Sequence, residues 1–200
     1  MALRVITPPQ PPGLITLDQG KAQLRVLDGE EDTEIQGMIL AASQLVESYV
    51  SRKYIAQELE WTLERWHDPM VLPIAPYAGW DQVTINSITY GALDGTTQTL
   101  DPEIYWVRPA GPTVKIVKRW FVIWPFLGDA AQRVVINFSV GGDVTTVPWS
   151  AQHATKLLLS HFYQNRDAVV GVDGRDSSTE LPLGVKSLLT DEMWDQPAVP

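Results

Sequence analysis

Between residues 35 and 63 the hydrophobic period changes, and that change divides the fold. Ile35, Met38, Ile39, Ala42, Leu45, Val46, Tyr49 and Val50 recur three and four apart. That spacing puts side chains on one face of an α-helix. After Tyr54, Leu59, Trp61 and Leu63 alternate with Glu58, Glu60, Thr62 and Glu64, the two-residue period of a half-buried strand. The chain therefore needs a face for a helix and a face for a sheet. The first pattern predicts a helix over 33–52 with one apolar stripe. Asp32 can cap its start, Glu34 suits its first turn, and Arg52 and Lys53 suit its end. Such a stripe belongs to a core or to a subunit interface, and Ile35, Met38, Ile39, Ala42, Leu45, Val46 and Tyr49 are candidates for either.

The rest of the chain extends this division. Thr16-Leu17-Asp18-Gln19 has the form of a capping box, predicting a short helix over 17–26 that ends at Asp28-Gly29. Strands are expected around 83–90, 105–107, 113–117 and 134–138, with a turn at Asp94-Gly95. Prolines at 69, 73, 76, 102, 109, 112 and 125 keep these pieces short. Helix returns at Pro148, well placed at a first helical position with Thr146 a cap nearby. Ala151, Ala154, Leu157, Leu158, His161 and Phe162 form its apolar face. Residues 167–179 are Gly, Asp and Ser with few apolar side chains, which predicts a flexible loop. A short helix over 184–189 follows, and 195–200 are expected to fray. Residues 1–13 carry Pro8, Pro9, Pro11 and Pro12 and read as an extended, weakly ordered arm. The expected class is α+β, with a small β-rich unit inserted into a helical core. The divisions are a Pro-rich arm (1–13), N-terminal helices (14–56), the β-rich insert (57–140), a helix completing the helical core (141–166), and a loop, short helix and tail (167–200).

Composition narrows the function classes. The 200 residues hold no cysteine, which removes disulfides, thiol catalysis and thiolate metal sites together. It also fits assembly in a reducing cytoplasm. No apolar run approaches the roughly 18 residues that span a bilayer, so no membrane partner is expected. The start lacks the apolar core of a signal peptide. The net charge is −9, which argues against a broad basic face gripping nucleic acid. The charge is uneven: residues 28–60 hold 8 acids and 2 bases, residues 101–140 hold 3 acids and 5 bases. Asp28, Glu30, Glu31, Asp32 and Glu34 are a solvated helix start, or a surface that repels a passing polyanion.

Nothing in the chain is patterned for chemistry. His153 and His161 stand eight apart, not four, and His67 sits in a Pro-bounded turn. There is no phosphate-binding GxxxxGK[ST] loop and no GxSxG elbow. Gly141-Gly142-Asp143 reads as a turn. Carboxylate pairs such as Glu30-Glu31 and Asp191-Glu192 lie in polar segments where solvation explains them. No catalytic residue, metal or cofactor is expected, and the chain is not expected to be an enzyme. Eight tryptophans are many for this length, and six of them, Trp61, Trp66, Trp80, Trp106, Trp120 and Trp124, fall in the β-rich insert. They make a sheet core, an oligomer interface, or a stacking platform for sugars or single-stranded nucleic acid. Lys115, Lys118 and Arg119 beside Trp120 form a basic-aromatic cluster, too few cations to carry nucleic-acid binding alone.

The C-terminal peptide Leu181-Pro182-Leu183-Gly184-Val185 with Leu188 and Leu189 is apolar, tethered by the loop, and has little core left to join. It reads as a docking element.

The order of these pieces resembles the head-tail connector (adaptor) family of tailed bacteriophages. The likeness is carried by Leu14-Ile15-Thr16-Leu17, Ala22 and Leu24-Arg25-Val26, then Ile39-Leu40-Ala41-Ala42. It continues through Leu72-Pro73, Val83, Ile88-Thr89-Tyr90, Asp94-Gly95, Trp124-Pro125 and Val147-Pro148. It ends with His161-Phe162-Tyr163, Asn165-Arg166 and the C-terminal peptide. The series spans about residues 14–190. The family often has Gly before the Arg that ends the long helix, where this chain has Ser51. Residues 77–82 read as an extra loop, and the tail beyond Trp194 as a longer one than in the family. The resemblance implies a structural virion protein of the neck, assembled in the host cytoplasm. Such proteins form a dodecameric ring beneath the portal, extend the DNA channel and carry a downstream neck or tail protein. Duplex DNA is then only passing cargo. It implies portal docking through Leu181, Pro182, Leu183, Gly184, Val185, Leu188 and Leu189. The residues themselves add that a ring which must not hold DNA is served by an acidic lining, either Asp28, Glu30, Glu31, Asp32 and Glu34 or the acids of 167–180. Alternatives are another neck or tail protein, such as a head-completion stopper or tail terminator, and a Trp-rich carbohydrate-binding module.

Overall fold

A computed structural model describes residues 2–9, 13–76, 80–111, 113–128, 134–165 and 183–193. The loop expected over 167–179, Leu181, Pro182 and the tail from 195 lie outside the described residues. The chain forms two compact units. A β unit comprises Met1–Gln10, Lys53–Asp143 and Gln196–Pro200, and a helical unit comprises Pro11–Arg52 and Val144–Asp195. The α+β class follows directly.

The helices are α1 Leu17–Leu24, α2 Asp32–Val50, α3 Trp149–Gln164 and α4 Leu183–Leu189. The described strands are β1 Ala2–Thr7, β2 Arg52–Lys53, β3 Gln57–Leu63, β4 Met70–Val71, β5 Ala75–Pro76, β6 Val83–Gly91, β7 Thr97–Thr99, β8 Tyr105–Ala110, β9 Thr113–Lys118 and β10 Val134–Val140.

In the β unit a five-stranded antiparallel sheet runs β1-β3-β10-β6-β7, and a second sheet runs β4-β9-β8. β3 and β10 alternate buried and half-buried residues without a break. Leu59, Trp61, Leu63, Val134, Ile136, Phe138 and Val140 face one core, joined by Met70, Leu72, Ile88, Val114 and Ile116. On the other face Glu58 accepts hydrogen bonds from Thr7 Oγ1 (3.0 Å) and Asn86 Nδ2 (2.8 Å), and Arg4 meets Glu60 at 3.0 Å. The register slips between Asn137 and Phe138, so Asn86 is the extra residue of a bulge in β6. The expected turn closes β6 onto β7: Gly95 takes φ +80°, and Asp94 Oδ1 accepts from Thr96 N at 2.9 Å and from Thr96 Oγ1 at 2.7 Å.

The first residues differ from expectation. Ala2–Thr7 is an edge strand paired with β3, not a loose arm. Its Leu3, Val5, Ile6 and Thr7 suit a strand, and the prolines begin only at 8. Every residue of β1 is exposed, so burial leaves no alternation to read.

In the helical unit α2 packs against α3 and α1. Thr16 and Gln19 form the expected capping box: Thr16 Oγ1 accepts from Gln19 N at 3.3 Å, and Gln19 Oε1 accepts from Thr16 N at 3.0 Å. Gly20 is buried in α1, and a Cβ there would come within 2.7 Å of Ile39 Cδ1. Its missing side chain lets α1 approach α2. Asp32 is the first residue of α2 rather than its cap; Glu31 stands at the cap position, where its side chain makes no capping hydrogen bond to the helix. α2 ends on Ser51, which adopts the left-handed φ of 55°. Pro148 is likewise the N-cap of α3 rather than its first residue. Ala151, Ala154, Leu158 and Leu159 make the buried face of α3, while His161 is exposed.

Candidate functional site

The stripe of α2 resolves mostly as core. Ile35, Ile39, Ala42 and Val46 are fully buried, Met38 packs against Ile15, Ile35, Ile39 and Leu159, and Tyr49 is half-buried. Leu45 alone of the seven candidates is exposed.

The C-terminal helix also differs from its sequence reading. Leu181 and Pro182 lie outside the described residues, and Leu183 opens α4. Gly184 is exposed and Leu188 half-buried, but Val185 and Leu189 are fully buried, and α4 packs on α3. The peptide that looked short of a core completes the core of its own unit. Ser150 Oγ donates to Glu192 Oε1 at 2.8 Å and ties the following turn to the start of α3. The sequence could not show this, because the face of α3 that receives Val185 and Leu189 is some thirty residues away.

The acidic turn is partly neutralised. Lys21 Nζ meets Asp32 Oδ1 at 2.6 Å, and Tyr163 Oη donates to Glu31 Oε2 at 2.7 Å. Asp28, Glu30 and Glu34 are exposed. Beside them an open cavity of about 570 Å³ is lined by Asp18, Lys21, Ala22, Arg25, Val26 and Leu27. Its lining carries both signs.

Among the described residues the tryptophans do not form a row of exposed rings. Trp61 is core. Trp66 and Trp124 stack on each other at 4.9 Å and 11°, and Trp66 Nε1 donates to Pro125 O at 2.8 Å. Trp106 is half-buried, with the Arg108 guanidinium 4.4 Å and the Arg119 guanidinium 5.6 Å from its ring centre. Burial, with Asp101 nearby, raises the Tyr105 phenol above its ordinary value.

The most exposed apolar surface in the β unit is one that period alone does not reveal. Residues 119–128 leave β9 as a loop in which Trp120, Phe121, Ile123 and Phe126 are 77%, 102%, 82% and 77% exposed. Phe121 adopts φ 64°. A bulky residue held there costs on the order of 1–3 kcal/mol. The loop is nevertheless fixed. Arg119 N donates to Ile104 O (2.8 Å), Val122 N to Arg119 O (3.2 Å) and Gly128 N to Gly91 O (2.9 Å). A Cβ on Gly128 would lie 2.2 Å from Ala92 O, so glycine is needed for that close approach. Lys118 faces Asp68 at 3.6 Å.

Among the described residues no three His, Asp or Glu side chains gather as a metal site, and no helix is long and apolar enough to cross a membrane. His153 and His161 are both exposed on α3.

No family model and no curated protein matches the chain. Solved structures do. A chain from the virion of a native gene transfer agent particle superposes with a TM-score of 0.73 at 21% identity, covering 98% of this chain and 97% of that one. Chains from the neck of the empty particle, computed with C6 symmetry, and of the native particle, computed with C12 symmetry, each superpose at 0.71 with 20% identity and the same coverage. This chain shares its fold, over 98% of its length, with chains of a gene transfer agent particle, among them chains from its neck.

Proposed function

We propose that this protein is a structural component of a virion neck, and within that class a head-tail connector (adaptor). It forms a ring under the portal that continues the DNA channel and links capsid to tail. The observation that carries this reading is the end-to-end likeness to neck chains, one in a neck computed with sixfold and one in a neck computed with twelvefold symmetry. It covers both units, including the β unit that a plain helical protein would lack. A dodecamer is part of this proposal, supported by the twelvefold symmetry of one of those necks.

The portal contact is proposed for α4 with the residues before it. Val185 and Leu189 hold the helix from behind, and Leu181, Pro182, Leu183, Gly184 and Leu188 are what remains to meet a portal. α4 then docks as a folded helix, which lowers the ordering entropy that a free peptide loses on binding. Many copies around one ring add avidity. Acids facing the channel would keep passing DNA from sticking; the two candidate sets are Asp28, Glu30 and Glu34, which are exposed, and the acids of 167–180.

The test is electron microscopy of the matching purified portal with the protein added. A ring on the tail-facing side of the portal is the expected result. Absence of binding at saturating protein, or binding elsewhere on the particle, refutes the adaptor role. Leu188→Asp then tests docking: it leaves the buried face of α4 intact and should abolish ring formation on the portal.

A further inference from the structure

We propose that the exposed aromatic loop 119–127 of one copy grips the next copy in the ring, and that its receptor there is the acidic turn 27–34 of the helical unit. The proposal rests on the ring reading above and says which surfaces close the ring.

Four large apolar side chains, Trp120, Phe121, Ile123 and Phe126, stand in water on one loop. A cluster of that size marks an interaction surface. The loop is already shaped for contact. Its ends are fixed by backbone bonds to Ile104 and Gly91. Trp124 turns inward onto Trp66, so its neighbours point out. Phe121 is kept in the left-handed region by the turn that Val122 N closes onto Arg119 O, and its side chain is left wholly exposed. Preorganisation of this kind lowers the entropy lost on binding.

Charge selects the occupant. Arg108 and Arg119 lie over the Trp106 ring rather than against a carboxylate, and Lys115 lies across from Arg108 in the β8–β9 pair. These cations stand at the β8–β9 end of the loop, where Lys118 is held by Asp68 and Asp101 and Glu103 are exposed. The helical unit holds 14 acids against 7 bases, the β unit 10 against 8. Within the helical unit Leu27 is almost wholly exposed, followed by exposed Asp28 and Glu30. That turn offers an apolar anchor and carboxylates together. Loop against turn is a heterologous contact, the kind that closes a ring when repeated. Loop against loop would set like charges face to face and would stop at a pair. Duplex DNA is the weaker candidate: its bases are stacked inside, so Phe121, Ile123 and Phe126 gain nothing from it, and the few cations are too sparse to hold it.

The test uses particles assembled with the full-length chain carrying Phe121→p-benzoylphenylalanine, irradiated and mapped by mass spectrometry. Phe121 is wholly exposed, so the change leaves the fold intact; Phe126→p-benzoylphenylalanine serves as the second variant. The expected result is a two-copy adduct joining the probe to residues 27–34 of another copy. An adduct to DNA, to a different protein, from loop to loop, or elsewhere on the second copy overturns the proposal. So does the absence of any adduct from both probes in particles whose neck contains the chain. A chain that never enters the neck is a different failure, of the adaptor reading itself, and the proposal falls with it.

Discussion

Leu189→Ala separates a core role for α4 from a purely external one. Leu189 is fully buried, and α4 packs on α3. Truncating a buried leucine to alanine costs about 2–5 kcal/mol, with the larger values where the site cannot collapse. α4 has seven residues and lies near the end of the helical unit. It can undock locally, and the loss is capped by the free energy of that undocking. The expected loss is therefore at the low end, about 2 kcal/mol. At roughly 4–8 °C per kcal/mol for a unit of this size, the helical transition should fall by about 10 °C. The assay is calorimetry, paired with amide exchange on α3 and α4. Exchange should rise along α4 and on the face of α3 beneath it. Leu188→Ala is the control: it is half-buried and should cost well under half as much. Equal effects of the two substitutions, or no change in α3 exchange with Leu189→Ala, would refute the packing on which this reasoning stands.

Gly141 has φ +97°, and a Cβ there would lie 2.3 Å from Ile55 O, backbone that cannot swing away. Gly141→Ala should cost about 3 kcal/mol or more, read as a lower urea midpoint of Trp fluorescence in the β unit. Ser51 caps α2 at φ 55°, where glycine carries no Cβ penalty. Ser51→Gly should stabilise the helical unit by about 0.5–1 kcal/mol, and a lower melting temperature would contradict it. The Thr96 hydroxyl, followed by the Thr96 backbone N–H, holds the Asp94 carboxyl below its usual 3.8. Its depressed folded pKa means that the turn's contribution is present above the unfolded value and is lost as pH falls through the folded one. Carbon-detected NMR of Asp94 should show that low titration, and Thr96→Val should move it upward.

What could be read from the sequence was what repeats locally. The stripe of α2 and the alternation of β3 and β10 appear at their expected residues because one face of each is buried and the other is not. The capping box and the Asp94-Gly95 turn are local hydrogen-bond patterns and were equally legible. β1 was not, since a strand exposed along its whole length leaves no alternation. Val185 and Leu189 were misjudged because their partner face is non-local. The loop 119–128 was hardest. Trp-Phe-Val-Ile-Trp-Pro-Phe has the composition of a buried strand, and the left-handed turn at Phe121 that ends β9 is not one a phenylalanine advertises.

The acids of the helical unit cannot all do the same job. Asp32 is already paired with Lys21, and Glu31 accepts from Tyr163. If the aromatic loop of a neighbouring copy covers residues 27–34, then Asp28 and Glu30 meet cations at a dry interface and no longer face a channel. Repulsion of DNA then falls to the acids of 167–180, where Asp167, Asp173, Asp176 and Glu180 stand against Arg166 and Arg175. Opposite outcomes follow for two charge-removing variants. Asp28→Asn with Glu30→Gln should weaken ring assembly, most visibly at low salt where screening is least, and leave DNA passage through assembled rings unchanged. Asp173→Asn with Asp176→Asn should leave assembly intact and slow DNA ejection by letting phosphates dwell at the ring. Sedimentation of rings across a salt series and single-particle ejection kinetics read the two effects. The reverse pattern, with ejection slowed by the first pair and assembly weakened by the second, would return the acidic turn to the channel wall and leave the aromatic loop without its receptor.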